Sequence, residues 1–161
     1  MQKKEWWKFF LVVGLLTVDL VSKALLDNKS IELISGIVRF ESSHNIGAGF
    51  SLLEGRTALF IVGAILFCIG MVLFNKYSKI KPQGKWYFFG FTLMIAGTLG
   101  NMIDRIIFGY VRDFIFLEFI SFPVFNVADI CLTIGTICFS VYILFFYDKK
   151  EKKLWKNMKL K

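Results

Sequence analysis

Four carboxylates stand where a carboxylate is costly or oddly placed. Asp19, Asp104 and Asp129 lie inside or against long apolar runs, and Asp113 lies in the apolar stretch after Asp104. A charge at a bilayer centre costs about 2.5–3.5 kcal/mol on insertion scales, so an acid kept inside an apolar run is a functional candidate by default. Asp19 has a plainer reading: Lys23 lies at i+4, one helical turn on, and the two form an ion pair that braces a helix. Asp113, in Val111-Arg112-Asp113-Phe114, also fits a solvated loop acid paired with Arg112. Asp113 and Asp129 both fall near the same membrane face. Two carboxylates brought together there cannot both ionise cheaply; one keeps its proton, and the pair supplies an acid and a base for activating water. Any two acids can be drawn this way, so the pattern alone does not select them.

Polar companions surround these acids. Gly97, Asn101 and Arg105 fall at i, i+4 and i+8, with Asp104 three residues after Asn101, so small and polar residues share a helical face. Asn126, Asp129, Thr133 and Thr136, at i, i+3, i+7 and i+10, form a polar stripe on an apolar segment. Gly90, Gly97 and Gly100 are read first as sites of close helix packing. Other chemistries fare worse. His44 reads as a polar surface residue rather than a ligand. Cys68, Cys131 and Cys138 have no Cys-x-x-Cys or Cys/His spacing and read as packing residues. Ser22 and Lys23 could be drawn as a dyad, but adjacent helical side chains diverge by about 100°. No phosphate-loop, dinucleotide, zinc-protease or serine-hydrolase motif occurs.

The elements that must position these residues are membrane helices. The 161 residues are 56% hydrophobic and 17% aromatic, with a mean hydropathy of +0.60, beyond the range of an ordinary soluble domain. The expected fold is an all-α integral membrane protein of four transmembrane helices, with small extracytoplasmic β-rich and helical segments. A single membrane-embedded domain is read, with spans over residues 6–26, 57–74, 86–103 and 124–146, outer segments 27–56 and 104–123, and a basic tail over 147–161. Pro123 marks the entrance of the fourth span. Residues 31–40 alternate as a strand does, and 106–120 are apolar enough to fold back on the membrane. The first span resembles a signal peptide but lacks a cleavage pattern, and reads as an uncleaved anchor.

The net charge of +8 is unevenly placed: 14 of the 20 basic residues, but only Glu5, Asp148 and Glu151 among the acids, sit at the amino terminus, the central break and the tail. That asymmetry puts both termini and the central break in the cytoplasm, with anionic lipid headgroups rather than nucleic acid as the partners of the basic patches.

Together the motifs resemble those of lipoprotein signal peptidase, the type II signal peptidase of bacteria. Asp19-Leu-Val-Ser-Lys23 resembles the family's Asp-x-x-Ser/Thr-Lys, and Asn45-Ile-Gly-Ala-Gly-Phe-Ser51 its Asn-x-Gly-Ala-Ala-Phe-Ser box, with Gly49 in place of an alanine. Gly100-Asn-Met-Ile-Asp-Arg105, Val111-Arg-Asp113-Phe and Phe122-Pro-Val-Phe-Asn-Val-Ala-Asp129 with Gly135 resemble the last boxes, although the stretch from Asp113 to Asp129 is shorter than in some relatives. The resemblance implies an intramembrane aspartic endopeptidase that frees diacylglyceryl-modified prolipoproteins of their signal peptides, with Asp113 and Asp129 as its catalytic dyad. It implies that Asn101, Arg105 and Asn126 position substrate or dyad. Asn45 and Gly47 support substrate binding in the outer cradle, and Asp19, Lys23 and Asp104 hold helices and loops in register. No metal or other cofactor is expected; prolipoprotein, membrane lipids and globomycin-type inhibitors are, and a monomer. A small proton-coupled transporter or channel subunit is the main rival, but the inverted repeat or half-helices it predicts are not visible. A purely structural membrane subunit leaves the polar stripe unexplained.

Overall fold

The computed structural model describes residues 6–47, 53–78 and 84–147; Gly49, part of the basic clusters and residues 148–161 of the tail lie outside them. Among the described residues, four helices are long and apolar enough to cross a membrane: α1 (Trp6–Leu26), α2 (Thr57–Tyr77), α3 (Lys85–Phe108) and α4 (Val127–Val141), the last prolonged by a π-helical turn over Tyr142–Tyr147. At 1.5 Å per residue, the 21 residues of α1 or α2 extend about 31 Å, the thickness of a hydrocarbon core.

Helix α3 is the hub, packing against α1, α2 and α4, and 44% of its apolar window is buried inside the protein against 6–17% for the others. Its glycines explain this. A Cβ on Gly90 would stand 2.7 Å from the backbone nitrogen of Phe139, and one on Gly97 would overlap the Ala128 carbonyl oxygen. Gly100 gives the same clearance to the Asp19 carboxylate, and Gly135 of α4 to Met94. The glycines therefore let backbones approach, the packing role expected of them. At one end of the bundle Tyr87, Phe74, Phe139 and Tyr142 form an aromatic cluster joining α2, α3 and α4, with ring centroids 5.1 Å apart for Tyr87–Tyr142 and 5.6 Å for Phe74–Phe139.

The opposite end carries a three-stranded antiparallel sheet in the order β1 (Ser30–Ile34), β2 (Val38–Asn45), β3 (Val111–Leu117). The alternating stretch after α1 thus forms a hairpin, and the apolar segment after α3 completes it as the third strand. In register, Asn45 faces Val111 and Ser43 faces Asp113.

Three helix ends differ from expectation by three residues or more. Helix α2 runs on past Phe74 to Tyr77. Helix α3 runs on to Phe108 instead of stopping before Asp104, because Asp104 is paired within the protein and the helix ends only at Gly109, whose φ of 83° suits a residue without a Cβ. Helix α4 starts at Val127, beyond Pro123, because Phe125 is still extended: its N–H and carbonyl pair with Ile115, and Asn126 is the N-cap.

Candidate active site

The start of α4 fixes Asp129. Asn126 is an N-cap whose Oδ1 accepts the Asp129 amide at 3.0 Å, while Asp129 Oδ2 accepts the Asn126 amide at 3.1 Å. This reciprocal box satisfies two orphan donors of the helix and fixes the carboxylate. A third donor, the Ala128 amide, is taken by Asp19 Oδ1 from α1 at 2.8 Å, an anion placed where the helix dipole favours one. Asp129 therefore sits in the first turn of α4, nearer the sheet end than a helix beginning at Pro123 would put it.

Strand alternation fixes Asp113. In β3, Arg112 and Asp113 point to opposite faces. Arg112 turns to Asp104, with Nη2 2.7 Å from Oδ1, whereas Asp113 is 2% exposed and faces the helices. The solvated loop acid paired with Arg112 is thus excluded. Asp113 accepts one hydrogen bond from Asn45 Nδ2 at 2.9 Å, across the sheet, and one from Asn126 Nδ2 at 2.6 Å.

Asn126 consequently touches both carboxylates, Asp129 through its backbone and Asp113 through its side chain. Asn101, on α3, supports both: its Oδ1 accepts from Asn126 Nδ2 at 3.1 Å and from Lys23 Nζ at 2.9 Å, and its Nδ2 donates to Asp129 Oδ1 at 2.8 Å. With two donors on its oxygen, the Asn101 amide has one orientation, NH2 toward Asp129. Lys23 is fully buried, 2.9 Å from Asp19 and 3.5 Å from Asp104. One buried ammonium among two carboxylates and an amide oxygen is a compensated charge; removal of any member leaves the rest exposed to a low dielectric.

Burial, reinforced by the negative charge of Asp129, raises Asp113 from 3.8 to about 7, against the opposing effect of the Asn45 and Asn126 hydrogen bonds and of Lys23. One proton can therefore reside on this pair near neutrality, the condition for acid and base in one site.

Both acids line a cavity of about 570 Å³ that also takes in Asn45, Gly47, Asn101 and Arg105, with Phe60 and Ala64 of α2 among its apolar walls. Arg105 bridges its rim: Nη2 donates to the Gly47 carbonyl at 2.8 Å, and the guanidinium lies 4.6 Å from the Phe60 ring centre. Gly47 in turn donates its amide to Asn45 Oδ1 at 3.0 Å.

All ten residues singled out in the sequence fall in or beside one continuous network. Asp113, Asp129, Asn45, Asn101, Asn126, Arg105 and Gly47 line the cavity, and Asp19, Lys23 and Asp104 lie behind it. His44 lies outside, bonded to Asp27 at 2.9 Å and stacked on Tyr110. Two contributions were missed. Nothing polar in α2 marks Phe60 and Ala64 as cavity walls, so no signal existed for them. Arg112 had one: strand alternation separates it from Asp113.

A family model described as signal peptidase (SPase) II matches residues 11–145. The lipoprotein signal peptidase of Lactiplantibacillus plantarum is 40% identical over 145 residues, covering 86% of this chain and 95% of its own. That of Enterococcus faecalis is 37% identical over 155 residues, covering 92% and 94%. Two solved structures described as bacterial membrane enzymes superpose with TM-scores of 0.77 and 0.75, each at 30% identity; they cover 90% and 86% of this chain and 90% and 93% of theirs.

Proposed function

The chain belongs to the signal peptidase II family, and from that premise we propose that it is an intramembrane aspartic endopeptidase acting on diacylglyceryl-modified prolipoproteins. It cleaves just before the lipidated cysteine, within a single membrane-embedded peptidase domain. The observation that carries this reading is the bridge through Asn126, which holds Asp113 by its side chain and Asp129 by its backbone at the head of one cavity.

The raised Asp113 supports its holding the proton at rest while Asp129 serves as base. Water attacks the scissile carbonyl as Asp129 takes a proton from it and Asp113 gives its own to the carbonyl oxygen. The tetrahedral intermediate then collapses, the C–N bond breaks, the departing amine takes the proton from Asp129, and Asp113 recovers its own. Asn101, Arg105 and Asn126 keep the pair and the substrate in place, Asn45 and Gly47 support the substrate from the sheet side, and Asp19, Lys23 and Asp104 hold the frame.

Basic clusters at both termini and in the central break support a cytoplasmic position for those segments. The sheet and dyad then lie near the outer leaflet of a bacterial cytoplasmic membrane, where a lipidated cysteine can stay embedded while the bond beside it is cut. The enzyme acts as a monomer and is inhibited by globomycin-type peptides. The test is a gel-shift assay in detergent with a diacylglyceryl-modified prolipoprotein and its unlipidated form. Cleavage of the lipidated form alone, unaffected by chelator and lost in both Asp113→Asn and Asp129→Asn, is expected; near-normal turnover by either variant refutes the dyad.

A further inference from the structure

Within membrane helices a threonine ordinarily satisfies its hydroxyl on the carbonyl one turn back. Thr17 does so to Val13 O at 2.8 Å and Thr92 to Phe88 O at 2.6 Å. Thr98 of α3 and Thr133 and Thr136 of α4 depart from that habit: among the described residues none of the three hydroxyls makes a hydrogen bond. Thr136 is exposed and stands outside the lining of the dyad's cavity, whereas Thr98 and Thr133 line it. Thr98 is 9% exposed, and its hydroxyl oxygen is not fully covered. The space it keeps open to is the cavity. A valine would fill the same volume at lower cost, because an unbonded hydroxyl in an apolar wall loses its hydration for nothing.

Position suggests what the hydroxyl meets. Thr98 precedes Asn101 by three residues, about 4.5 Å along α3, and Thr133 follows Asp129 by four, about 6 Å along α4. Since α3 runs toward the sheet and α4 away from it, both threonines lie on the same side of the dyad, deeper in the bundle. An extended peptide advances about 3.3 Å per residue, so the two hydroxyls stand one to two residues from the bond at the dyad. A signal segment must lose helical structure there to present that bond. Each N–H and C=O so freed lacks water to bond, which in hydrocarbon is costly.

We propose that the Thr98 hydroxyl, with Thr133 as its companion, binds the peptide backbone of the unwound signal segment one to two residues on the amino-terminal side of the scissile bond. The proposal rests on the peptidase reading above. It gives the enzyme a grip on its substrate that is independent of side-chain identity, with Phe60 and Ala64 left to meet side chains.

The test uses the full-length enzyme in detergent and synthetic diacylglyceryl lipopeptides in which one backbone amide at a time, from the scissile bond toward the amino terminus, is replaced by an ester. Wild type should lose about tenfold in kcat/KM at one replaced position, the size of one hydrogen bond. Thr98→Val should lose about tenfold on the all-amide peptide and nothing further at that position. Thr98→Ser should behave as wild type. A merely structural role for Thr98 would lower Thr98→Val rates equally on every peptide. That result, or wild-type kcat/KM in Thr98→Val, would overturn the proposal while leaving the dyad intact. Absence of any cleavage by wild type would instead overturn the peptidase reading, and this one with it.

Discussion

Asn126 has two duties, and substitution separates them. Its Oδ1 caps α4 by accepting from Asp129 N, and its Nδ2 donates to Asn101 and Asp113. Loss of a cap costs about 1 kcal/mol, and loss of the two donated bonds about 1 kcal/mol each. Asn126→Ala should therefore lose about 3 kcal/mol, whereas Asn126→Ser, which still caps but cannot reach Asp113, should lose about 2 kcal/mol. For a chain of this size 1 kcal/mol corresponds to about 2–4 °C in melting temperature. The alanine variant should thus melt about 6–12 °C below wild type in detergent, and the serine variant about 4–8 °C below. Cleavage should follow a different order. Both variants lose the bridge, and a misplacement of about 1 Å costs on the order of 10²-fold, so both should fall by a similar factor at a temperature where both remain folded. Near-normal cleavage by Asn126→Ser, or rates that track melting temperature, would refute the assignment of the bridge to Asn126.

Asp113 should make both activity and stability depend on pH. Its pKa is raised from 3.8 to about 7 on folding, so the fold favours the neutral acid. That contribution is complete below pH 3.8 and is lost as pH rises toward and through 7. Cleavage measured from pH 5 to 9 should decline above about 7, and Asp113→Asn should melt higher than wild type at pH 8 but not at pH 4. Lys23→Met should lower stability by about 3–5 kcal/mol, because it leaves Asp19 and Asp104 buried without their cation; melting within 2 °C of wild type would contradict this. Gly90→Ala should lower the melting temperature by several degrees, since its Cβ would meet the backbone of Phe139. Gly63→Ala, with nothing within 4 Å, should hold or slightly raise it. Thermal melts of the pair in one detergent decide the point.

The helices were legible because hydropathy and charge need no knowledge of contacts: the interior of α2, without a charge from Thr57 to Phe74, can be read by eye. The ends were less so. Asp104 looks like a stop signal in isolation, and only Lys23 and Arg112, distant or displaced in sequence, make it a buried helical residue. Asp113 shows the same limit more sharply. The sequence places it beside Arg112, while the pleat of β3 sends the two apart and delivers Asp113 to Asn45 and Asn126. Selection of Asp113 over other acids came from motif resemblance, because pairing across 16 residues of chain has no local signature. The short-range device at α4 was fully present, since Asn126 and Asp129 stand at N-cap and N3, yet Pro123 drew the expected helix start upstream.

The box that begins α4 has a consequence for how the protein is made. Asp129 is held by the same two hydrogen bonds that nucleate the helix, and Asp113 is held by the residue that caps it. Of the four spans described, the fourth to leave the ribosome is therefore the one that brings Asp113 and Asp129 together. A nascent chain with three spans inserted carries Asp113 without Asn126, so on the proposed mechanism the dyad forms only with completion of the bundle. On the proposed mechanism a partly inserted copy has no assembled dyad with which to cut its neighbours in the membrane.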